Sequence, residues 1–324
     1  PQDGMNMGLI GMIQDMVDQC RAAEDPRRHL SEATQDDYLA LSAMITEIEQ
    51  GDAGSAELAA LKLGSDRSVP ILGITGTGGA GKSSLTDEIV RRFRIDSGDS
   101  AKIAILAIDP TRRKTGGALL GDRIRMNSIY SPNIYMRSIA TRQATGEVPT
   151  YLTDIVAAVR KFDFDLIIVE TPGIGQGDAG IVPYVDASMY VMTPEFGAQS
   201  QLEKIDMLDF ADLVVINKFD RKGAEDALRD VAKQVQRNRE AFNESPSEQP
   251  VYGTIASRFG DDGVSAAYHG LLGVLREKGL RHWESKLEFA DNRIPSERSV
   301  IVPAARVRYL AEIAETIRSY HLET

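Results

Sequence analysis

The feature that most constrains this chain is the stretch from residue 71 to 88, which reads ILGITGTGGAGKSSLTDE. Gly76, Gly81, Lys82 and Ser83 match the phosphate-loop pattern G-x-x-x-x-G-K-[ST]. Glycines let the backbone pass close to a phosphate chain, and the backbone N–H groups then point inward as an anion-binding nest. The alternative is a glycine-rich turn that matches by accident. An apolar run before the glycines and a helical repeat after them favour a strand, a phosphate loop and a helix.

The loop residues have distinct predicted roles. The helix that begins near Lys82 presents the positive end of its dipole to a bound anion. Lys82 is predicted to reach the β- and γ-phosphates as a catalytic cation, and the Ser83 hydroxyl is predicted to bind Mg²⁺. Further contacts to the nucleotide are predicted for Gly78, Gly79, Ala80, Gly81 and Ser84.

Composition excludes several classes of protein. The chain has 324 residues, which suits one large α/β domain with appendages or two domains. A net charge of −11 argues against a nucleic-acid binder. The single cysteine, Cys20, excludes an internal disulfide framework and predicts a reducing, cytoplasmic location. No apolar run approaches ~18 residues and no signal peptide is visible, so no membrane association is expected.

From residue 69 onward, strand-like and helical patterns alternate. Helices are indicated at 150–161, 223–241 and 264–283, and further helical patterns lie outside this region at 1–22, 38–48, 56–63 and 304–320. Continuous apolar runs separated by helices predict a mostly parallel sheet with helices on both faces, that is, an α/β P-loop NTPase flanked by helical extensions. Ligands of such sheets lie at the carboxyl ends of the strands. The strand-like runs are 71–75, 102–108, 134–138, 166–170, 188–193, 213–217 and 251–255.

A second motif selects the base. Asn217, Lys218 and Asp220 follow an apolar run and match the N-K-x-D element of GTP-binding proteins. Asp220 can accept from both the ring N1–H and the exocyclic amino group of guanine, a donor pair that adenine lacks. Asn217 helps to hold the loop, and the stem of Lys218 can lie over the base. A backbone N–H of Ala256 or Ser257, after the last strand, is predicted to meet guanine O6.

The segment DLIIVETPG places chemistry after the fourth strand. Glu170 ends the strand where nucleotide hydrolases keep an acidic residue near Mg²⁺. The backbone N–H of Gly173 is predicted to meet the γ-phosphate, which would make 171–180 a switch. Ile174 stands where many GTPases keep a water-orienting glutamine. Gln176 is therefore the candidate catalytic amide, and the alternative for it is an ordinary loop residue.

Carboxylates after the second strand are further candidates for Mg²⁺ binding. Asp109 and Asp122 flank the loop PTRRKTGGALLG, and either can bind the ion directly or through water. The alternative for each is an N-cap or turn residue. The basic run 112–114 is either a solvated loop or a contact for phosphates or an acidic partner.

These motifs, together with DPTRRKTGGALLGDRIRMN, VETPGIGQGDAGIVP and TPEFGAQSQLEKIDMLDFADLVVINKFD, resemble the GTPase domain of fused isobutyryl-CoA mutases. The resemblance to stand-alone methylmalonyl-CoA mutase-associated GTPases is looser. The resemblance to the fused mutases implies a GTPase domain at 69–283. Residues 1–68 are then a helical lead-in that comes from a preceding cobalamin-binding domain. The same resemblance also implies that 284–324 is a linker and helix leading to a mutase domain, so that the chain is an excised or truncated middle section.

The resemblance further implies a GTP-hydrolysing, Mg²⁺-dependent chaperone. Such domains couple GTP binding and hydrolysis to the loading of adenosylcobalamin into an acyl-CoA mutase, and they protect that enzyme. The cofactor then belongs to the partner mutase and its cobalamin-binding domain, which the resemblance puts on the same polypeptide. A third switch loop is implied at about 194–204, where Glu195, Gln199 and Lys204 are predicted to pair differently in each nucleotide state. The alternative for this stretch is a plain strand-to-helix connection. Neither the residues nor the resemblance decides whether the chain forms a homo-oligomer.

Three alternatives to this function remain from the residues. A nickel-insertion metallochaperone GTPase would need a histidine-rich tract or a Cys/His site, and the four histidines and one cysteine show no such spacing. A nucleotide-dependent kinase for a small basic substrate is disfavoured by N-K-x-D. A binding switch without hydrolysis is the third, because no water-positioning group is certain.

Overall fold

The computed structural model describes residues 13, 37–51, 69–109, 126–141, 148–173, 179–197, 202–281, 285–288 and 292–296. Several predictions fall outside these ranges. They are the helical patterns at 1–22 (Ile13 apart), 56–63 and 304–320, the loop that holds Asp122, and Gln176.

Strands and helices alternate along the described chain. The strands are β1 (Ile71–Gly76), β2 (Ile103–Asp109), β3 (Ile134–Ala140), β4 (Leu166–Glu170), β5 (Ala187–Met192), β6 (Leu213–Asn217) and β7 (Val251–Thr254). The helices are α1 (Tyr38–Gln50), α2 (Lys82–Ser97), α3 (Leu152–Val159), α4 (Met207–Phe210), α5 (Ala224–Asn238) and α6 (Asp262–Glu277). Short 3₁₀ turns lie at Ala179–Tyr184, Pro194–Phe196 and Pro246–Glu248.

The seven strands form one sheet in the order β3-β2-β4-β1-β5-β6-β7. All six neighbouring pairs are parallel. The predicted fold class is therefore confirmed, and each of the seven predicted apolar runs is a strand. β1 lies between β4 and β5, so the loop that follows β1 is flanked by the carboxyl ends of both neighbours.

Helices cover both faces of the sheet, as the alternation of side chains along β2 illustrates. Ile103 and Ile105 belong to the buried cluster that includes apolar residues of α2 and α6. Ala104 and Leu106, which point the other way, join the cluster that includes α1 and α3. A third cluster joins β5 and β6 to α4 and α5. Burial on both faces explains why the strands are continuous apolar runs. None of the described helices is long and apolar enough to cross a lipid bilayer.

Helix α1 lies within the predicted lead-in but packs on the sheet domain. The Asp37 side chain caps its start by accepting from the backbone N–H of Ala40, and Gly51 ends it with a left-handed φ of 77°. Leu41 and Ile45 are completely buried among residues of α3 and the sheet. The division at residue 68 stays a prediction, and α1 contributes directly to the core.

Candidate nucleotide-binding site

The phosphate-loop residues line a cleft of about 270 Å³ at the carboxyl edge of the sheet. The loop turns sharply because glycines adopt positive φ angles, 70° at Gly79 and 89° at Gly81. A side chain at Gly81 would put its Cβ 2.6 Å from the Asn217 amide nitrogen. The loop and the N-K-x-D segment are thus in close contact, and α2 begins directly after Gly81. The cleft is lined by Gly79, Gly81, Lys82, Ser83, Ser84, Ala107, Ile108, Asp109, Glu170, Thr171 and Pro172.

Lys82 lies inside the loop rather than on the surface. The residue is only 6% exposed, and its ammonium group donates to the carbonyl oxygens of Gly76 at 3.1 Å and Thr77 at 3.3 Å. A Cβ at Gly173 would overlap the Lys82 Nζ atom. The ammonium group and the backbone of Gly173 therefore lie next to each other. Two groups that contact the same phosphate need this proximity.

The carboxylate of Glu170 is held by two hydroxyls of α2. Ser83 Oγ donates to Glu170 Oε1 at 2.6 Å, and Thr86 Oγ1 donates to Glu170 Oε2 at 2.8 Å. Ser83 and Thr86 are three residues apart, so they share one face of the helix. Glu170 is 4% exposed and Thr86 is fully buried. The orientation of this acidic side chain is therefore fixed by the helix that follows the phosphate loop.

The donor set of the cleft fits Mg²⁺. Asp109 is buried at the end of β2 and lines the same cleft as Ser83 and Glu170. All three supply oxygen, the ligand that Mg²⁺ prefers, and this ion usually keeps waters and phosphate oxygens besides one or two protein ligands. Within the described residues, no group of three or more His, Cys, Asp and Glu could hold a metal ion. Asp122 lies outside those residues.

Asn217 joins the phosphate loop to the loop after β7. Its Nδ2 atom donates to the carbonyl of Ala80 at 2.8 Å. Its Oδ1 atom accepts from Thr254 Oγ1 at 3.1 Å and from the backbone N–H of Ala256 at 3.0 Å. The next residue, Lys218, has a φ of 59° and donates from Nζ to the carbonyl of Gly79 at 2.6 Å. These bonds join residues that are 137 and 139 positions apart in sequence, so the two motifs form one hydrogen-bonded unit.

The predicted base-reading groups lie around this unit. Asp220 and Ser257 are exposed, while Ala256 is buried. The Ala256 N–H donates to Asn217 in this structure. The guanine contacts of Asp220, Ala256 and Ser257 stay predictions.

The predicted third switch loop contacts the residue after Asp220. The Glu195 carboxylate pairs with the Arg221 guanidinium. Hydrogen bonds from the Thr193 side chain and from the backbone N–H of Glu195 itself, together with Arg221, lower the pKa of Glu195 to about 2. Glu195 is therefore a carboxylate at neutral pH. Gln199 lies outside the described residues, and Lys204 is exposed.

Sequence reasoning missed two of these contributors. The pattern that could have indicated Thr86 is its three-residue spacing from Ser83, which puts both hydroxyls on one helix face. Arg221 follows the N-K-x-D motif directly, but its partner Glu195 is 26 residues away and carries no motif of its own.

The comparisons with known proteins agree with this geometry. The chain matches the family described as "Methylmalonyl Co-A mutase-associated GTPase MeaB" over residues 41–284. It is 58% identical over 326 residues to a fused isobutyryl-CoA mutase of Cupriavidus metallidurans, covering 99% of this chain and 30% of that protein. A fused isobutyryl-CoA mutase of Nocardia farcinica is 53% identical, again with 30% of its length covered. The chain thus spans less than a third of these relatives.

Two more distant similarities concern the domain alone. A putative GTPase of Pyrococcus abyssi is 33% identical over 222 residues, which are 68% of each protein. The solved structure of a LAO/AO transport system kinase superposes with a TM-score of 0.51 at 22% identity, covering 78% of this chain and 76% of that one. This likeness supports the fold only. The family model matches most of the chain, and the relatives agree with that match. The chain therefore belongs to the methylmalonyl-CoA mutase-associated GTPase family, known as MeaB.

Proposed function

We propose that this chain binds GTP with Mg²⁺, hydrolyses it, and acts as a chaperone that controls adenosylcobalamin loading into an acyl-CoA mutase. The observation that carries the nucleotide part is the Asn217 side chain, which bonds the phosphate loop and the loop after β7 at once. Because the two loops are held next to each other, one nucleotide can place its phosphate chain in the first loop and its guanine base against the second. Family membership supports the choice of GTP.

The phosphates are held by the loop backbone and by Lys82. The inward N–H groups of the residues from Gly78 to Ser84 supply the nest, and the ammonium charge offsets the phosphate charge. Lys82 would exchange its carbonyl acceptors, Gly76 and Thr77, for phosphate oxygens. Gly173 would donate its N–H to the γ-phosphate.

Mg²⁺ would be held by the Ser83 hydroxyl oxygen, with Glu170 accepting the hydroxyl hydrogen, and by Asp109 and Asp122 directly or through water. The ion offsets the charge that develops on the phosphates during transfer. Gln176 is the proposed residue that orients the attacking water. The water oxygen bonds to the γ-phosphorus as the bond to the GDP oxygen breaks, and inorganic phosphate and GDP leave.

Substitution of Lys82 tests the phosphate site. Lys82→Ala should lower GTP turnover by a factor of about 10² or more, because one preorganised cation is lost from the transferring group. Phosphate release would be measured with and without Mg²⁺, and circular dichroism would check the fold. Unchanged GTP binding and hydrolysis in this variant would contradict the assignment.

Substitution of Asp220 tests base reading. Asp220→Asn should weaken GTP and strengthen xanthosine triphosphate, since xanthine carries a carbonyl where guanine has its amino group and an asparagine amide can donate to it. Competition between the two nucleotides measures the change. If their relative affinities stay as in the parent, residues 217–220 do not read the base.

The partner in the proposal is a cobalamin-dependent mutase. Its support is the identity of 51–58% to fused isobutyryl-CoA mutases over nearly the whole chain. The third switch loop is the proposed reporter of nucleotide state, because Glu195 pairs with Arg221 beside the base-reading Asp220. A loop transmits a state only if the nucleotide and the partner both distinguish its arrangements. The single cysteine supports a cytoplasmic location for this pair.

The loading function can be tested with the triple variant Glu195→Ala, Gln199→Ala and Lys204→Ala. Joined to the mutase and cobalamin-binding segments, it should bind GTP nearly as the parent does. It should lose the partner's acceleration of hydrolysis and the nucleotide control of adenosylcobalamin loading. Loading that remains GTP-dependent at the parent rate would remove the third switch loop from the proposal.

A further inference from the structure

Part of the predicted linker is bonded tightly to the GTPase domain. Residues 285–288 and 292–296, which we call the downstream strap, carry a first anchor at Asp96 in the last turn of α2. Asp96 is 1% exposed and accepts from Ser285 Oγ at 2.8 Å and from the N–H of Lys286 at 2.5 Å. A buried carboxylate needs such donors, because burying its charge without them is costly. This anchor therefore fixes the strap to the helix that begins in the phosphate loop.

A second anchor lies on the edge strand β7. The N–H of Gly253 donates to the carbonyl of Arg293 at 2.8 Å. The guanidinium of Arg293 faces the Tyr252 ring at 5.5 Å and donates to the carbonyl of Gln249. β7 is the last strand of the sheet, so the strap pairs with backbone groups that an edge strand otherwise exposes.

The third anchor is on the loop that follows β7. Arg258 Nη1 donates to the carbonyl of Ser296 at 3.1 Å, and Ser296 Oγ donates to the carboxylate of Asp262. The backbone of Arg258 closes a turn by donating to the carbonyl of Ile255 at 2.8 Å. Ser257, the proposed guanine contact, lies inside this turn. Asn217 holds this turn at Ala256, and the strap holds it at Arg258.

We propose that Arg258 and Ser296 are positioning residues for guanine recognition, so that the downstream strap is a working part of the nucleotide site. This inference rests on the proposed binding of GTP. The turn at 255–258 must be held at a set distance from the base for the Ser257 N–H to reach O6, and the Arg258–Ser296 bond restrains the last residue of this turn. By thermodynamic reciprocity, a guanine nucleotide that needs the docked strap must also stabilise its docking.

The test uses the full chain and a fluorescent GDP analogue displaced by GDP or by inorganic tripolyphosphate. Arg258→Ala should weaken GDP by about ten-fold, since it loses one charge-assisted hydrogen bond in the base loop. Displacement by tripolyphosphate, which contacts only the phosphate loop, should match the parent. Arg258→Lys, which keeps a donor, should recover most of the GDP affinity. Arg229→Ala, an exposed arginine of α5 paired with Asp226, is the matched control.

A second readout follows the strap directly. The amide of Gly253 can exchange only when its bond to Arg293 opens, so GDP should slow its hydrogen exchange in the parent and less so in Arg258→Ala. GDP affinity equal to the parent's, or equal losses for GDP and tripolyphosphate, would overturn the inference. So would a Gly253 exchange rate that GDP leaves unchanged. A parent chain that binds tripolyphosphate but no guanine nucleotide would instead overturn the proposed function.

Discussion

Replacing Asn217 by alanine tests whether one side chain holds the two nucleotide loops together. The substitution removes three hydrogen bonds: one that Asn217 donates to the carbonyl of Ala80, and two that it accepts from Thr254 Oγ1 and the Ala256 N–H. The Thr254 hydroxyl can rotate toward another acceptor, but the carbonyl of Ala80 and the N–H of Ala256 are backbone groups that stay in place. Asn217 is 3% exposed, so water reaches them poorly.

The magnitude follows from those two groups. A buried donor or acceptor left without a partner costs about 1–3 kcal/mol, so two of them give a loss of about 2–6 kcal/mol before any cavity is counted. This is a large fraction of the ~5–15 kcal/mol that stabilises a typical domain. Thr254→Val removes only one of the three bonds and leaves Asn217 bonded to both backbone groups, so it should cost about 1 kcal/mol.

Urea denaturation followed by circular dichroism measures both losses. Asn243→Ala, at an exposed asparagine, is the control and should change the unfolding free energy by less than about 0.5 kcal/mol. An Asn217→Ala variant as stable as this control would refute the reasoning, because the two loops would then be held by contacts other than the asparagine. GTP binding by the same variant should fall, since both halves of the site lose their common support.

Three further predictions concern single residues. Thr86→Val should raise the Mg²⁺ concentration needed for half-maximal nucleotide binding about ten-fold, and Thr86→Ser should restore it, because the hydroxyl of Thr86 and not its methyl group orients Glu170. An equal defect in both variants would indicate a packing role instead. Gly173→Ala should lower GTP hydrolysis at least about ten-fold in a folded protein, since φ is 72° and the added Cβ would meet Lys82; parent-like kinetics would contradict this. Burial lowers the pKa of His269, so folding favours the neutral imidazole and the free energy of unfolding should fall as pH drops from 6.5 toward the lower pKa of the folded state. Urea denaturation at pH 7.5 and 5.5 should show a smaller fall for His269→Gln than for the parent.

The sheet could be predicted from the sequence because nearly all strand residues are buried, on both faces of the sheet. A strand such as β6, LVVIN, is completely apolar until its last residue, and that residue is the first of the N-K-x-D motif. The motif therefore marks where the strand ends, and the strand places the motif at the carboxyl edge of the sheet. The phosphate loop was equally visible, since glycine is required where φ is positive and the pattern is local in sequence.

The contacts that sequence reasoning did not reach are long-range and polar. Asp96 and Ser285 are 189 residues apart and belong to no repeating pattern, so the strap was predicted only as part of a linker. The buried face of α1 was visible as a periodic stripe, but nothing in the stripe indicates which surface covers it. Periodicity predicts that a residue is buried, while its partner depends on the order of the strands.

Helix α2 explains why such distant contacts can matter to a phosphate site. It begins at the phosphate loop, and its first turns bond Glu170 through Ser83 and Thr86. Asp87, the residue after Thr86, accepts from the backbone N–H groups of residues 127 and 128, which follow the loop that holds Asp122. Asp96 then anchors the strap in the last turn. The helix has 16 residues and is about 24 Å long. One secondary-structure element therefore joins the phosphate loop, the segment at 127–128 and the strap. If a bound phosphate displaced its first turn, that displacement would act on each of these bonds.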